Sequence, residues 1–208
     1  VKLSRAYTGR KIVARPYDHP FYSYDDWFIG STDCDFGVPS EIKDMTVMYK
    51  ADDLSSLEML FQKYPKQIAC IISEPEKFNT IEPNFYDKAI ELAHENGALW
   101  VMDEMITGFK TDYPGSIKKF NAKPDLATWG KGIANGFSFC ALTGKKEVMN
   151  LGGIKDENSK KLFLVSTTHG GETASIGAAL ATMEFFEKNS VVEYNKTIGQ
   201  YFIDGATK

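Results

Sequence analysis

Two stretches of this chain are apolar at every position: Ile68-Ala69-Cys70-Ile71-Ile72 and Ala98-Leu99-Trp100-Val101-Met102. A strand with one wet face alternates apolar and polar residues, whereas a strand covered on both faces reads as an unbroken apolar run. Each run follows a helix-like segment. Leu54–Tyr64 comes just after Asp52 and Asp53, either of which suits an N-cap, and Pro83–Asn96 has Pro in its first turn and Gly97 just past its end. Ala89, Ile90, Leu92 and Ala93 form the expected buried stripe of the second segment. Further short strands are expected at Lys11–Arg15, Met45–Tyr49, Leu126–Trp129, Phe139–Thr143 and Leu162–Ser166, and the first run extends to Ser73. Thr173–Lys188 predicts a third helix with Ile176, Leu180 and Met183 on one side, and Val1–Tyr7 reads like the middle of another. Tyr113–Lys119 and Gly152–Lys161 read as polar loops. Strands alternating with helices imply an α/β domain of three layers around a mostly parallel sheet.

The 208 residues fit one large domain with a sizeable core, and 43% hydrophobic against 25% charged residues is a globular composition. A net charge of −4 without a basic cluster argues against nucleic-acid binding. No signal peptide or long apolar span points to a membrane. Cys34, Cys70 and Cys140 are odd in number and scattered, which fits reduced thiols in a cytoplasmic protein and neither a disulfide framework nor a metal site. Arginine occurs only at Arg5, Arg10 and Arg15, so a guanidinium clamp for a substrate carboxylate would lie outside this segment or be absent. No G-x-G-x-x-G follows an early strand and no Walker loop is present, which disfavours a nucleotide-binding enzyme.

The chemistry concentrates in two segments. Leu99-Trp100-Val101-Met102-Asp103-Glu104 ends an apolar strand in a carboxylate, and a bare buried carboxylate is costly unless something pairs with it. Asp125-Leu126-Ala127-Thr128-Trp129-Gly130-Lys131-Gly132 places a lysine between glycines after a short strand. Open α/β sheets bind ligands beyond the carboxyl ends of their strands, and glycines allow a ligand close to the backbone. Pyridoxal phosphate needs such a pair: a lysine that forms a Schiff base with its aldehyde, and a carboxylate that keeps its ring nitrogen protonated.

The chain resembles the class III pyridoxal-phosphate aminotransferases, most of all their glutamate-1-semialdehyde aminomutase branch. The resemblance rests on Asp103-Glu104-Met105-Ile106-Thr107-Gly108-Phe109, on Pro124-Asp125 followed by Lys131, on Ser166-Thr167-Thr168-His169-Gly170-Gly171-Glu172, and on Ser4-Arg5-Ala6-Tyr7-Thr8-Gly9-Arg10. It implies the large domain of a fold type I transferase, with Lys131 as the Schiff-base lysine and proton carrier and Asp103 on the ring nitrogen. Met105 would pack on one ring face, where relatives usually carry a branched aliphatic. The opposite face would take Phe21, with Tyr22 as the alternative, from a segment where relatives have Tyr-His-Gly. Glu74-Pro75 matches a Glu-Pro at the sheet edge, though Glu76-Lys77-Phe78-Asn79 replaces the glycine-rich continuation. Thr168 matches a threonine that binds the cofactor phosphate of a neighbouring subunit, and it also reads as an N-cap. Glu104 reads as a structural salt-bridge partner, and His169 as a loop or core residue.

The resemblance implies amino-group transfer, or an intramolecular amino shift, on a small amino compound in a cytoplasmic homodimer with shared sites. Residues 1–208 would be the cofactor-binding domain of a longer protein, without its N-terminal phosphate loop and C-terminal small domain. The alternative is a catalytically incomplete domain serving oligomerisation or regulation.

Overall fold

The computed structural model describes residues 1–19, 22–75, 82, 84–153, 160, 162 and 167–206. Phe21, the expected Glu76–Asn79 loop and most of the expected Leu162–Ser166 strand lie outside the described residues.

The elements run α1 (Lys2–Thr8), β1 (Ile12–Pro16), α2 (Asp26–Ile29), α3 (Ser40–Lys43), β2 (Thr46–Tyr49), α4 (Leu54–Lys63), β3 (Ile68–Ser73), α5 (Phe85–Glu95), β4 (Leu99–Asp103), α6 (Ser116–Lys119), β5 (Leu126–Trp129), β6 (Ala141–Gly144), α7 (Lys146–Met149), α8 (Thr173–Lys188) and α9 (Val191–Ala206). The strands form one six-stranded sheet in the order β2-β1-β3-β4-β5-β6. All neighbours are parallel except β5 and β6, which are antiparallel.

β3 and β4 are buried at every position, as their unbroken apolar runs predict. Their side chains divide between two cores. Ile68, Ile71, Trp100 and Met102 pack with Leu57, Leu60 and Phe61 of α4 and Ala89, Ile90 and Ala93 of α5. Cys70, Ile72, Leu99 and Val101 pack on the other face with Leu3 of α1, Trp27 and Phe28 of α2 and Val148 of α7. Helices on both faces make three layers. A third cluster joins Phe109, Ala127, Trp129, Ile133 and Ala134 to Ala179 of α8.

Local chemistry sets the helix ends. Asp53 caps α4 by accepting from the Ser56 amide at 3.1 Å. α5 starts later than the sequence suggests, after Asn84 in a left-handed conformation. Gly97 follows it at φ 69°, and Arg10 Nη1 reaches across this turn to the carbonyls of Asn96 (2.6 Å) and Ile68 (3.1 Å). Two expectations need correction. Ser116–Lys119 is a short helix within the expected loop, because the buried Glu104 carboxylate accepts from the Ser116 and Ile117 amides at its first turn. α9 has no counterpart in the sequence reading: its stripe of Tyr194, Ile198, Tyr201 and Phe202 has helical spacing but is exposed and, among the described residues, joins no core cluster.

Candidate active site

Asp103 is the last residue of β4, and Thr128 lies beside it in the parallel register of β5. Side chains at paired positions of neighbouring strands share a face. The Thr128 hydroxyl accordingly donates to Asp103 Oδ1 at 3.0 Å. The Met105 amide donates to the same oxygen at 2.9 Å. Among the described residues Oδ2 receives no hydrogen bond. Asp103 is only 6% exposed. Burial raises its pKa above the ordinary carboxylate range and the Glu74 charge adds to this, while the two hydrogen bonds and the nearby Lys131 charge act in the opposite direction.

Lys131 follows β5 by one residue, in a short 3-10 turn, Lys131–Ile133. Its φ of 47° puts a side-chain-bearing residue in the left-handed region, a strained conformation found preferentially at functional sites. Lys131 is exposed and forms no ion pair with another described residue. The backbone before it is crowded: a Cβ on Gly130 would lie 2.6 Å from Met105 Sδ and 3.3 Å from Cys140 Sγ. Met105 therefore folds over the backbone beside Lys131. The chain does not stay extended past Asp103, because residues 105–107 turn and Gly108 donates back to the Glu104 carbonyl at 2.9 Å.

Glu74 follows β3 and is buried. Its amide donates to the Tyr22 hydroxyl at 3.2 Å, and His19 Nδ1 lies 2.7 Å from that hydroxyl. The Tyr22 ring stands edge-on to Phe28 at 5.6 Å. Burial raises the Tyr22 pKa, with the charges of Asp103 and Glu74 among the smaller contributions. Tyr22, Glu74, Asp103, Met105 and Lys131 thus gather beyond the carboxyl ends of β1, β3, β4 and β5, next to the switch between β1 and β3, where such sheets bind ligands. Among the described residues, no hydrogen bond or ion pair ties Thr168 to this group. It is exposed in a turn, and Glu172, not Thr168, is the residue preceding α8.

Three residues outside the candidate set shape the region. Thr128 holds the Asp103 carboxylate; its sequence signal was only the strand register. Glu104 accepts from the Thr107 hydroxyl and the α6 amides, and so anchors the loop that carries Met105 and Phe109. These bonds cap the backbone at the start of α6. Asp125, 2% exposed, accepts from the Trp100 amide at 2.7 Å and pairs with Lys145 at 2.7 Å and His94 at 2.9 Å, tying β4, β5, α5 and the end of β6 together.

The residues present suit pyridoxal phosphate. A buried carboxylate with one oxygen held and the other open fits a ring N–H, and the Lys131 amine, without an ion pair to any other described residue, is close enough for its charge to act on that carboxylate. Among the described residues no helix is long and apolar enough to cross a membrane.

Residues 35–208 match the family model described as "Aminotransferase class-III". The chain is 31% identical to the glutamate-1-semialdehyde 2,1-aminomutase of Thermosipho africanus over 99% of its own length and 50% of that protein's. It is 29% identical to the 3-aminobutyryl-CoA aminotransferase of Cloacimonas acidaminovorans, over 97% of this chain and 47% of that one. The chain therefore spans about half the length of these curated relatives. Its fold is that of the FumI protein of Sphingopyxis sp. MTA144, solved in its PLP internal aldimine form, with a TM-score of 0.78 at 24% identity over 92% of this chain and 45% of that one. The chain belongs to the class-III aminotransferase family.

Proposed function

We propose that residues 1–208 are the cofactor-binding domain of a pyridoxal-phosphate-dependent enzyme that transfers an amino group on, or shifts one within, a small amino compound. The observation that carries this reading is a buried, half-open Asp103 carboxylate within electrostatic reach of Lys131, whose amine forms no ion pair among the described residues. When bound, pyridoxal phosphate supplies an aldehyde that condenses with primary amines and a ring that withdraws electrons from the substrate carbon.

The chain's own residues then divide the work. Lys131 would tether the cofactor through its amine and, once released, carry a proton to and from the substrate carbon. Asp103 Oδ2 would accept from the ring N–H, and the carboxylate must be ionised to do so. Met105 would cover one ring face, and an aromatic of the 21–22 segment the other. Glu74 and Tyr22 would border the substrate side. We assign Thr168 to the phosphate of a partner subunit, which makes the enzyme a two-fold dimer with composite sites. The exposed stripe of Tyr194, Ile198, Tyr201 and Phe202 on α9 supports an assembled protein in which more apolar surface is covered.

The deciding experiment is borohydride reduction of the protein with pyridoxal phosphate. The near-visible absorbance band should vanish and a pyridoxyl group should remain on the peptide containing Lys131. The reading fails if the band is absent, or if the label sits on another lysine.

A further inference from the structure

Asp103 has a demanding task under the reading above: it must stay ionised in a buried site and present one particular oxygen. Burial and the Glu74 charge at the end of β3 both work against ionisation. The Tyr22 hydroxyl that faces the same region is itself held neutral by burial. Among the described residues, Lys131 is the cation whose charge favours the ionised carboxylate, and its amine must be neutral when it attacks an aldehyde. The carboxylate therefore needs support that persists when Lys131 is neutral.

Two hydrogen bonds provide that support, and both end on Oδ1. One comes from the Met105 backbone, which any residue but proline at that position could supply. The other is a side-chain property of Thr128, placed there by the pairing of Asp103 with Thr128 across β4 and β5. The two donors approach the same oxygen from different elements, the turn after β4 and the middle of β5. Such an arrangement fixes the rotation of the carboxyl group as well as its position. β5 is in turn held at its start by Asp125 and at Glu104 by a bond from its amide to the Thr128 carbonyl at 2.9 Å, so the hydroxyl is mounted on a rigid strand.

We infer that Thr128 is a positioning residue for the reaction: its hydroxyl holds Asp103 Oδ1 so that Oδ2 is presented, ionised, to the ring nitrogen of the bound cofactor. This rests on the cofactor reading for its ring-nitrogen half and on geometry alone for its effect on Asp103. A hydrogen bond to the charged form of a carboxylate favours that form, so loss of the donor must favour the acid.

The test uses Thr128→Val, which keeps the shape and removes the donor, Thr128→Ala as a smaller variant lacking the donor, and Thr128→Ser, which restores it. Two signals are followed in the full chain. The first is the pH titration of the Asp103 carboxyl carbon by NMR before cofactor is added, assigned with Asp103→Asn. The second is the nitrogen-15 shift of labelled pyridoxal phosphate after addition. In the valine and alanine variants the Asp103 midpoint should rise by about one pH unit, the size expected for losing one hydrogen bond to the charged form. The ring nitrogen should move toward its deprotonated position, and serine should return both signals to the wild-type values. Wild-type titration and ring signals in both variants lacking the donor would overturn the inference. If the Asp103 midpoint moves but the wild-type protein binds no cofactor, the cofactor reading and the ring-nitrogen half fall together, while the hold on Asp103 stands.

Discussion

Gly130 and Met105 compete for one volume: a Cβ added at Gly130 would sit 2.6 Å from Met105 Sδ, with Met105 Cε also in contact. Gly130 itself has extended backbone, φ −171°, which any residue can adopt. The crowding that favours glycine there comes chiefly from the Met105 thioether, with Cys140 Sγ also close at 3.3 Å. Gly130→Ala should therefore lower stability by about 1–3 kcal/mol through overpacking. Pairing it with Met105→Ala should recover part of that loss, giving a coupling of about 0.5–3 kcal/mol in a double-mutant cycle read by urea unfolding. Strict additivity would show that the two residues do not share the space.

Asp103→Asn should separate stability from turnover. With cofactor bound, the half-reaction should slow by the equivalent of about 2.7–4 kcal/mol, as for other single electrostatic groups, with the cofactor retained. Without cofactor, the sign is opposite. Burial raises the folded-state pKa of Asp103, so the unfolded chain ionises first as pH rises. Asp103 therefore subtracts stability from the usual aspartate range, about 3.9, upward to its raised pKa. The asparagine variant should be the more stable protein at neutral pH and lose that advantage in acid, which urea midpoints at both pH values would reveal.

Asp125→Ala should damage the fold without touching the site directly. It strands the buried Trp100 amide and removes the shared partner of His94 and Lys145. Both side chains are near 40% exposed and can turn to water, so the orphaned amide dominates and the loss should be about 1–3 kcal/mol. His94→Ala alone should cost much less. Equal losses in thermal unfolding would refute this ordering.

Shared sites predict complementation. Lys131→Ala and Thr168→Ala subunits, each impaired alone, should regain activity on mixing, with one intact site per mixed dimer. A fully active monomer in sedimentation, or no recovery on mixing, would rule out the composite site.

The sheet was legible because β3 and β4 are covered on both sides, and covering both sides leaves a sequence no polar position to alternate with. Ile68–Ser73 and Leu126–Trp129 have the boundaries expected from the sequence. α9 was not legible for the complementary reason: its apolar stripe meets nothing described in this chain, so the pattern lacks the core that normally gives it meaning. In the site, Lys131 and Asp103 announce themselves by type and context. Thr128 does not, since its role depends on which residue of the neighbouring strand it faces, and register is not written locally in either strand. The turn at 105–107 was missed because the sequence after Asp103 carries no Pro or Gly until Gly108; its cause is the buried carboxylate of Glu104, which draws the Thr107 hydroxyl and the amides of the following helix onto itself.

The reach of Arg10 across the α5 turn also limits how this sequence can drift. A Cβ at position 97 would lie 2.5 Å from the Arg10 guanidinium, and Gly97 already sits at φ 69°. A side chain at 97 would need position 10 to shorten and would still carry the strain of the left-handed φ, and shortening position 10 first abandons the carbonyls of Asn96 and Ile68. Neither single step is neutral, so the two positions should change hands together across descendants of this chain or hardly at all.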